Sequence, residues 1–189
     1  MTRHWGLTLV VCLAGCGFSS VEQRNIDTAL NAGVKATQRN EFSEILSAVF
    51  AHDSPATPII ARYAEDGLFR SDQVQPWRPW GMMFSSATAS TAPGSATTGL
   101  NVWKLDRRVP AVANTLVHER AHSFGFLHRC GETRAANLCD VAYVAGDLAE
   151  ALSSHSCPGE PVCPALAAEL QKRGLVKDCP QAREACCDP

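Results

Sequence analysis

Apolar residues recur at helical spacing through much of the chain. Ser20-Val-Glu-Gln23 predicts a capping box that opens a helix, and Ile26, Leu30 and Val34 carry its apolar stripe. Gly33 and Asn40 permit a break. Phe42, Ile45, Leu46, Val49 and Phe50 then fall at i, i+3, i+4, i+7 and i+8, the stripe of a core-facing helix. Pro55 and Pro58 predict its end. Residues 59–80 show no clean period, and Trp77 and Trp80 flank Arg78-Pro79, a turn or an irregular segment. Gly81–Ser86 reads as a short buried strand, and residues 85–98, almost all Ser, Thr, Ala, Gly and Pro, as a surface loop. Gly99–Lys104 alternates enough to be a strand. Pro110 suits the first turn of a helix that runs to Phe124 and stops at Gly125. Further helices are expected at Asp147–Ser154 and Pro164–Arg173, the second stopped by Gly174. The tail from Asp178 to Pro189 is cysteine-rich and irregular.

The N-terminus has a different character. Arg3 precedes a short apolar run, Leu7–Leu13, which ends in Leu13-Ala14-Gly15-Cys16. The layout is that of an export signal, too short to span a bilayer. It resembles the lipobox of bacterial lipoproteins. The resemblance implies cleavage before Cys16, lipidation of Cys16, and a mature chain tethered to the cell envelope. Gly17 after the cysteine implies the outer membrane. A plain signal peptide and a buried N-terminal segment are the alternatives. Acyl chains would supply the membrane affinity, at about 0.8 kcal/mol per buried CH₂.

Composition narrows the function. The 189 residues are 46% apolar and 19% charged, with a formal charge of −2. That supports a folded domain and argues against a nucleic-acid partner, which a basic excess would signal.

One segment carries chemistry. His118-Glu119-Arg120-Ala121-His122-Ser123-Phe124-Gly125-Phe126-Leu127-His128 reads H-E-x-x-H-x-x-G-x-x-H. A spacing of four puts His118 and His122 on one face of a helix, a turn apart, where both imidazoles reach one ion. Gly125 can take the backbone angles of a sharp reversal, which brings in His128 as a third ligand. Three His ligands leave a coordination position open. Glu119, beside the site, can move protons without being a ligand.

The full string resembles the metzincin zinc metallopeptidases. The resemblance implies one catalytic Zn²⁺ held by His118, His122 and His128, with Glu119 as general base and a protein or peptide as substrate. It implies an α+β zincin fold, with a mixed sheet, an active-site helix and a small cysteine-rich C-terminal subdomain. The division is residues 1–15 as signal, 16–128 as upper catalytic part and 129–189 as lower part. An edge strand would hold the peptide by β-addition, with Gly99–Lys104 as the candidate. The chain departs from the family in having no methionine after Met83, so nothing fills the family's methionine turn beneath the metal. Cys139-Asp-Val-Ala-Tyr143 is the nearest match, with Val141 in the methionine's place. Tyr143 would then stabilise the oxyanion, or else be an ordinary core tyrosine. Arg120 lies opposite the ligand face and needs a carboxylate partner or an exit to solvent.

Seven of the nine cysteines lie at or after Cys130. Export favours disulfides over a second, structural zinc, and the odd number leaves one thiol spare. The faint likeness of these cysteines to the archaemetzincin pattern does not extend to its spacings. The expected activity is zinc-dependent peptide hydrolysis by a lipid-anchored enzyme. The rival is a non-catalytic zinc-binding surface lipoprotein.

Overall fold

The computed structural model describes residues 17–50, 56–77, 87–130 and 133–180. The signal segment, Cys16, the expected strand Gly81–Ser86, Cys186 and Cys187 lie outside them. The described chain is mixed α+β, with seven helices and a three-stranded mixed sheet.

Helix α1, Ser20–Thr37, opens one residue before the expected box. Ser19 is the N-cap, its hydroxyl accepting from the Glu22 amide while the Glu22 carboxylate accepts from the Ser19 amide. Gly33 does not break α1. It lies buried mid-helix, where a Cβ would stand 2.7 Å from Leu68 and 3.4 Å from Val117. Its role is close approach to the neighbouring helix. Helix α2, Asn40–Val49, buries Phe42, Ile45 and Leu46, each contributing about 1.5–3 kcal/mol. Helix α3, Ala56–Asp66, occupies a stretch expected to be irregular. Pro58 sits in its first turn, where the missing N–H has no intrahelical partner to lose.

Strands β1, Val74–Trp77, β2, Ala89–Ser90, and β3, Thr98–Asn101, form a sheet in the order β1-β3-β2. β1 runs parallel to β3, with Val74 opposite Thr98 and Trp77 opposite Asn101. β2 runs antiparallel, with Ala89 opposite Leu100. The strand expected at Gly99–Lys104 is therefore the central strand, not the edge. It ends at Asn101, whose side chain accepts from the Trp103 amide and caps a 3₁₀ turn over Val102–Lys104. The edges are β1 and β2, the second inside the segment expected to be a loop.

Helix α4, Val109–Ser123, is packed between α1 and α6, Val141–Ser154, and touches β2 and β3. A short helix α5, Arg134–Asn137, precedes α6, and α7, Pro164–Lys172, packs on α2. One hydrophobic core runs from Ile26 to Cys179. Disulfides Cys139–Cys163 and Cys157–Cys179 pin the α6–α7 region, and Cys130 is also disulfide-bonded. No helix among the described residues is long and apolar enough to cross a membrane.

Candidate metal centre

Helix α4 builds the site. From Val112 to Ser123 every residue except Asn114 is buried, so no solvent face is left for its polar side chains. The helix ends in a Schellman motif. Gly125, at φ 95°, donates its amide to the His122 carbonyl, and the Phe126 amide reaches the Ala121 carbonyl. That reversal turns the chain back on the last turn of α4. It brings the Phe126 carbonyl to 2.6 Å from His122 Nδ1 and carries His128 to the two helical histidines.

One ring nitrogen from each of His118, His122 and His128 lies within 4.8 Å of the others. The outer nitrogens fix the tautomers. His122 Nδ1 must donate to the Phe126 carbonyl. His128 Nδ1 donates to Asp140 Oδ2 at 3.3 Å. The Ala142 backbone lies close enough to the His118 ring to raise its pKa slightly, the smallest of the influences on it. The rings of His122 and His128 thereby keep Nε2 for the centre, and His118 Nε2 and His122 Nε2 stand 3.0 Å apart. At that separation one Nε2 donates to the other, or both turn their lone pairs to a shared cation. Burial, followed by the neighbouring His122 and His128, holds the His118 pKa well below its usual value, so its imidazole stays neutral and able to ligate. The donor set thus fits a borderline metal such as zinc.

Glu119 is buried beside the triad, and its Oε2 has no hydrogen-bond partner. Burial raises its pKa, opposed first by the Thr91 hydroxyl and then by His122. Tyr143 lies in the first turn of α6, stacked on the His128 ring at 4.9 Å and tilted against His118 at 4.3 Å. The segment expected to form a turn beneath the metal is instead the start of this helix, with Val141 as its first residue, buried in the core. All five expected residues of the centre are thus brought together.

The partners that orient them were not read from the sequence. Asp140 holds His128 and also accepts from the Arg129 amide at 3.1 Å. An acidic residue between the ligand string and the tyrosine was its only signal. Thr91 follows the edge strand β2. Arg134 places its guanidinium 5.0 Å from the Tyr143 ring and bonds both oxygens of Asp147 at 2.9 Å. The carbonyls of Phe126 and Ala142 have no side-chain signature at all.

Arg120 has neither of the two expected solutions. Its guanidinium donates to the Gly67 and Asp66 carbonyls at 2.9 and 3.3 Å and to Ser123 Oγ at 3.2 Å, capping the end of α3. The rings of Phe69 and Phe124 lie 5.0 and 4.7 Å away.

The triad opens into a cleft of about 970 Å³ that runs along α4 from His122 back to Ala111 and is walled by β2 on one side. Its chemistry is that of a three-histidine ion with an adjoining buried carboxylate and room for an extended ligand. No protein-family model, curated protein or solved structure matches the chain.

Proposed function

We propose that the chain is a zinc-dependent peptidase of metzincin type, exported and held to the cell envelope by a lipid on Cys16. The observation that carries the catalytic part is the pairing of three convergent histidines with an unpartnered buried oxygen of Glu119. A structural metal site has no use for such a carboxylate. The anchoring part rests on the first sixteen residues of the sequence.

His118, His122 and His128 hold the ion, which when bound polarises a peptide carbonyl and makes water more acidic. Glu119 Oε2 takes a proton from the attacking water and passes it to the leaving nitrogen. Oε2 has no hydrogen-bond partner among the described residues and is free to do this. Tyr143, held against both His118 and His128, stabilises negative charge developing on the carbonyl oxygen. The outer side of β2, which faces no further strand among the described residues, gives an extended substrate a line of backbone partners in the cleft.

The absence of any methionine after Met83 in the sequence favours a second reading, a lipoprotein that keeps zinc and does not hydrolyse. Hydrolysis of an unstructured protein by the mature domain, with and without chelator, separates the two. Zinc-dependent cleavage supports the peptidase. Full zinc occupancy without cleavage across a broad peptide library supports the rival.

A further inference from the structure

Three arginines line the cleft. Arg134 is taken up by Asp147 and by Glu160, whose Oε2 lies 2.9 Å from its Nε. Arg108 pairs with the buried Glu150 at 3.4 Å. Arg107 alone has no carboxylate within ion-pair reach among the described residues. It is half-buried, and burial lowers its pKa while the charges of Glu150, Glu160 and Asp106 act on it only through space.

Its bonds go to neutral acceptors that fix it in place. Nε donates to the Lys104 carbonyl at 2.8 Å, Nη1 to the Ala111 carbonyl at 3.3 Å, and Nη2 to Thr115 Oγ1 at 3.0 Å. A guanidinium carries two N–H groups on each terminal nitrogen. Ala111 O and Thr115 Oγ1 lie 3.2 Å apart and take one N–H from each, so the second N–H on Nη1 and on Nη2 is left for an arriving anion. A half-buried cation held rigidly by neutral groups, with two N–H groups unused and no carboxylate partner, is a costly arrangement in the free protein. It is favourable once an anion arrives.

Position identifies the anion. Thr115 precedes His118 by one turn on the cleft side of α4, about 5 Å along the axis. An extended peptide advances about 3.4 Å per residue. We propose that Arg107 is the specificity residue of the cleft, and that it binds a substrate carboxylate within two residues of the bond that is cut. The carboxylate is an Asp or Glu side chain, or the peptide's own C-terminus. The inference rests on the peptidase reading for the direction of the chain in the cleft, and on Arg107 itself for the charge.

The test is a set of short peptides carrying Glu or Gln at each such position, ending as free acid or as amide. Binding is measured by calorimetry on zinc-loaded Glu119→Gln protein, so that no turnover is needed. Glu should bind about ten- to hundredfold tighter than Gln at one position, the discrimination that a charge-assisted hydrogen bond gives. Arg107→Gln should reduce that ratio to about unity, and Arg107→Lys should restore part of it. A free-acid over amide preference that Arg107→Gln abolishes assigns the site to the chain end. If Arg107→Gln does not fold, the preference of the parent protein should still shrink steeply with salt. Equal binding of Glu and Gln, and of acid and amide, overturns the proposal, as does a preference that survives in folded Arg107→Gln. Wild type that cleaves Glu and Gln peptides equally removes the subsite and keeps the peptidase. Selective binding without any cleavage keeps the subsite and removes the peptidase.

Discussion

Gly146 tests whether helix packing sets the geometry of the metal centre. It lies on α6 against α4, and an alanine Cβ there would stand 2.9 Å from the Asn114 carbonyl oxygen and 3.2 Å from His118 Cβ. Ordinary contact begins near 3.4 Å, so α6 must retreat by about half an ångström. The nearest obstacle is the Asn114 side-chain Oδ1, held in place by bonds from its Nδ2 to Asp147 and Glu150, and behind it stands backbone, which cannot swing aside. Overpacking of this kind costs about 1–3 kcal/mol, and the better helix propensity of alanine returns about 1 kcal/mol. A net loss of about 1 kcal/mol is expected in metal-free protein. One turn earlier α6 carries Ala142 and Tyr143, both against His118. Their retreat loosens the ligand, and loss of such supporting contacts weakens metal binding by about tenfold or more. At a fixed zinc concentration, tenfold weaker binding removes about 1.4 kcal/mol of further stabilisation. Gly146→Ala should thus lose more in urea melts run with zinc than in melts run with chelator, and a competing chelator should strip it sooner. A Gly146→Ala protein that is equally or more stable, with unchanged zinc affinity, would show that propensity wins and that α6 does not support His118.

Glu119→Gln should keep about one zinc per chain and lose at least about 10²-fold in peptide hydrolysis, read by metal analysis beside a cleavage assay; full hydrolysis by the variant refutes the base assignment. Arg120→Met should lower stability by about 2–4 kcal/mol, because the α3 carbonyls lose their donors, while chelator competition still shows parental zinc affinity. Burial, opposed first by Arg134, pushes Asp147 up to about 6 from an ordinary 3.8. Between those values the folded chain holds a proton that the unfolded chain has released. Stability from this group therefore falls as pH rises through that window, by up to about 3 kcal/mol, and Asp147→Asn should flatten that slope in urea melts run with chelator. Replacing Cys157 and Cys179 by Ala should cost about 3 kcal/mol from the freed loop, measured against the parent in the same melts.

Legibility along the chain followed how local each determinant was. Helices α2, α4 and α7 are readable because their signals are local, an apolar stripe in α2 and a proline start with a glycine stop for α4 and α7. Gly174, at φ 66°, ends α7 as its position suggested. Helix α3 was missed because Pro58 reads as a stop in sequence and is tolerated in a first turn. Helix α6 was expected only from Asp147 onward. Its first turn was assigned to a metal-supporting loop on the strength of a resemblance, while Val141, Ala142, Val144 and Ala145 are buried and simply helical. Strand β2 was hidden among small polar residues because two residues on an edge need no apolar alternation. At the site, the four ligand-string residues were legible because i, i+4 spacing is a geometric statement. Their supports were not, since two of them are backbone carbonyls and Asp140 and Arg134 reach the site through tertiary contacts.

The deepest departure from ordinary patterning is α4 itself. A helix with no solvent face is expected to be apolar all round, yet its last two turns carry His118, Glu119, Arg120, His122 and Ser123, all buried. Four of these are reconciled with burial by named partners. His118 has His122 Nε2, His122 the Phe126 carbonyl, Arg120 the end of α3, and Ser123 accepts from Arg120. Buried side-chain polar atoms without a hydrogen bond reduce to two among the described residues, Glu119 Oε2 and Arg134 Nε. The second still faces the Glu160 carboxylate at 2.9 Å. The first has no hydrogen-bond partner among the described residues, although the Thr91 hydroxyl acts on the same carboxylate. Leaving a buried carboxylate oxygen unpaired costs on the order of 1–3 kcal/mol or more, and a fold that satisfies every neighbouring group could have satisfied this one with any nearby hydroxyl. The unmet acceptor sits beside three converging histidines in the lining of the cleft, where the peptidase proposed above would use it. Local conflict with folding rules concentrates where chemistry requires it, and in this chain that place is a single carboxylate oxygen.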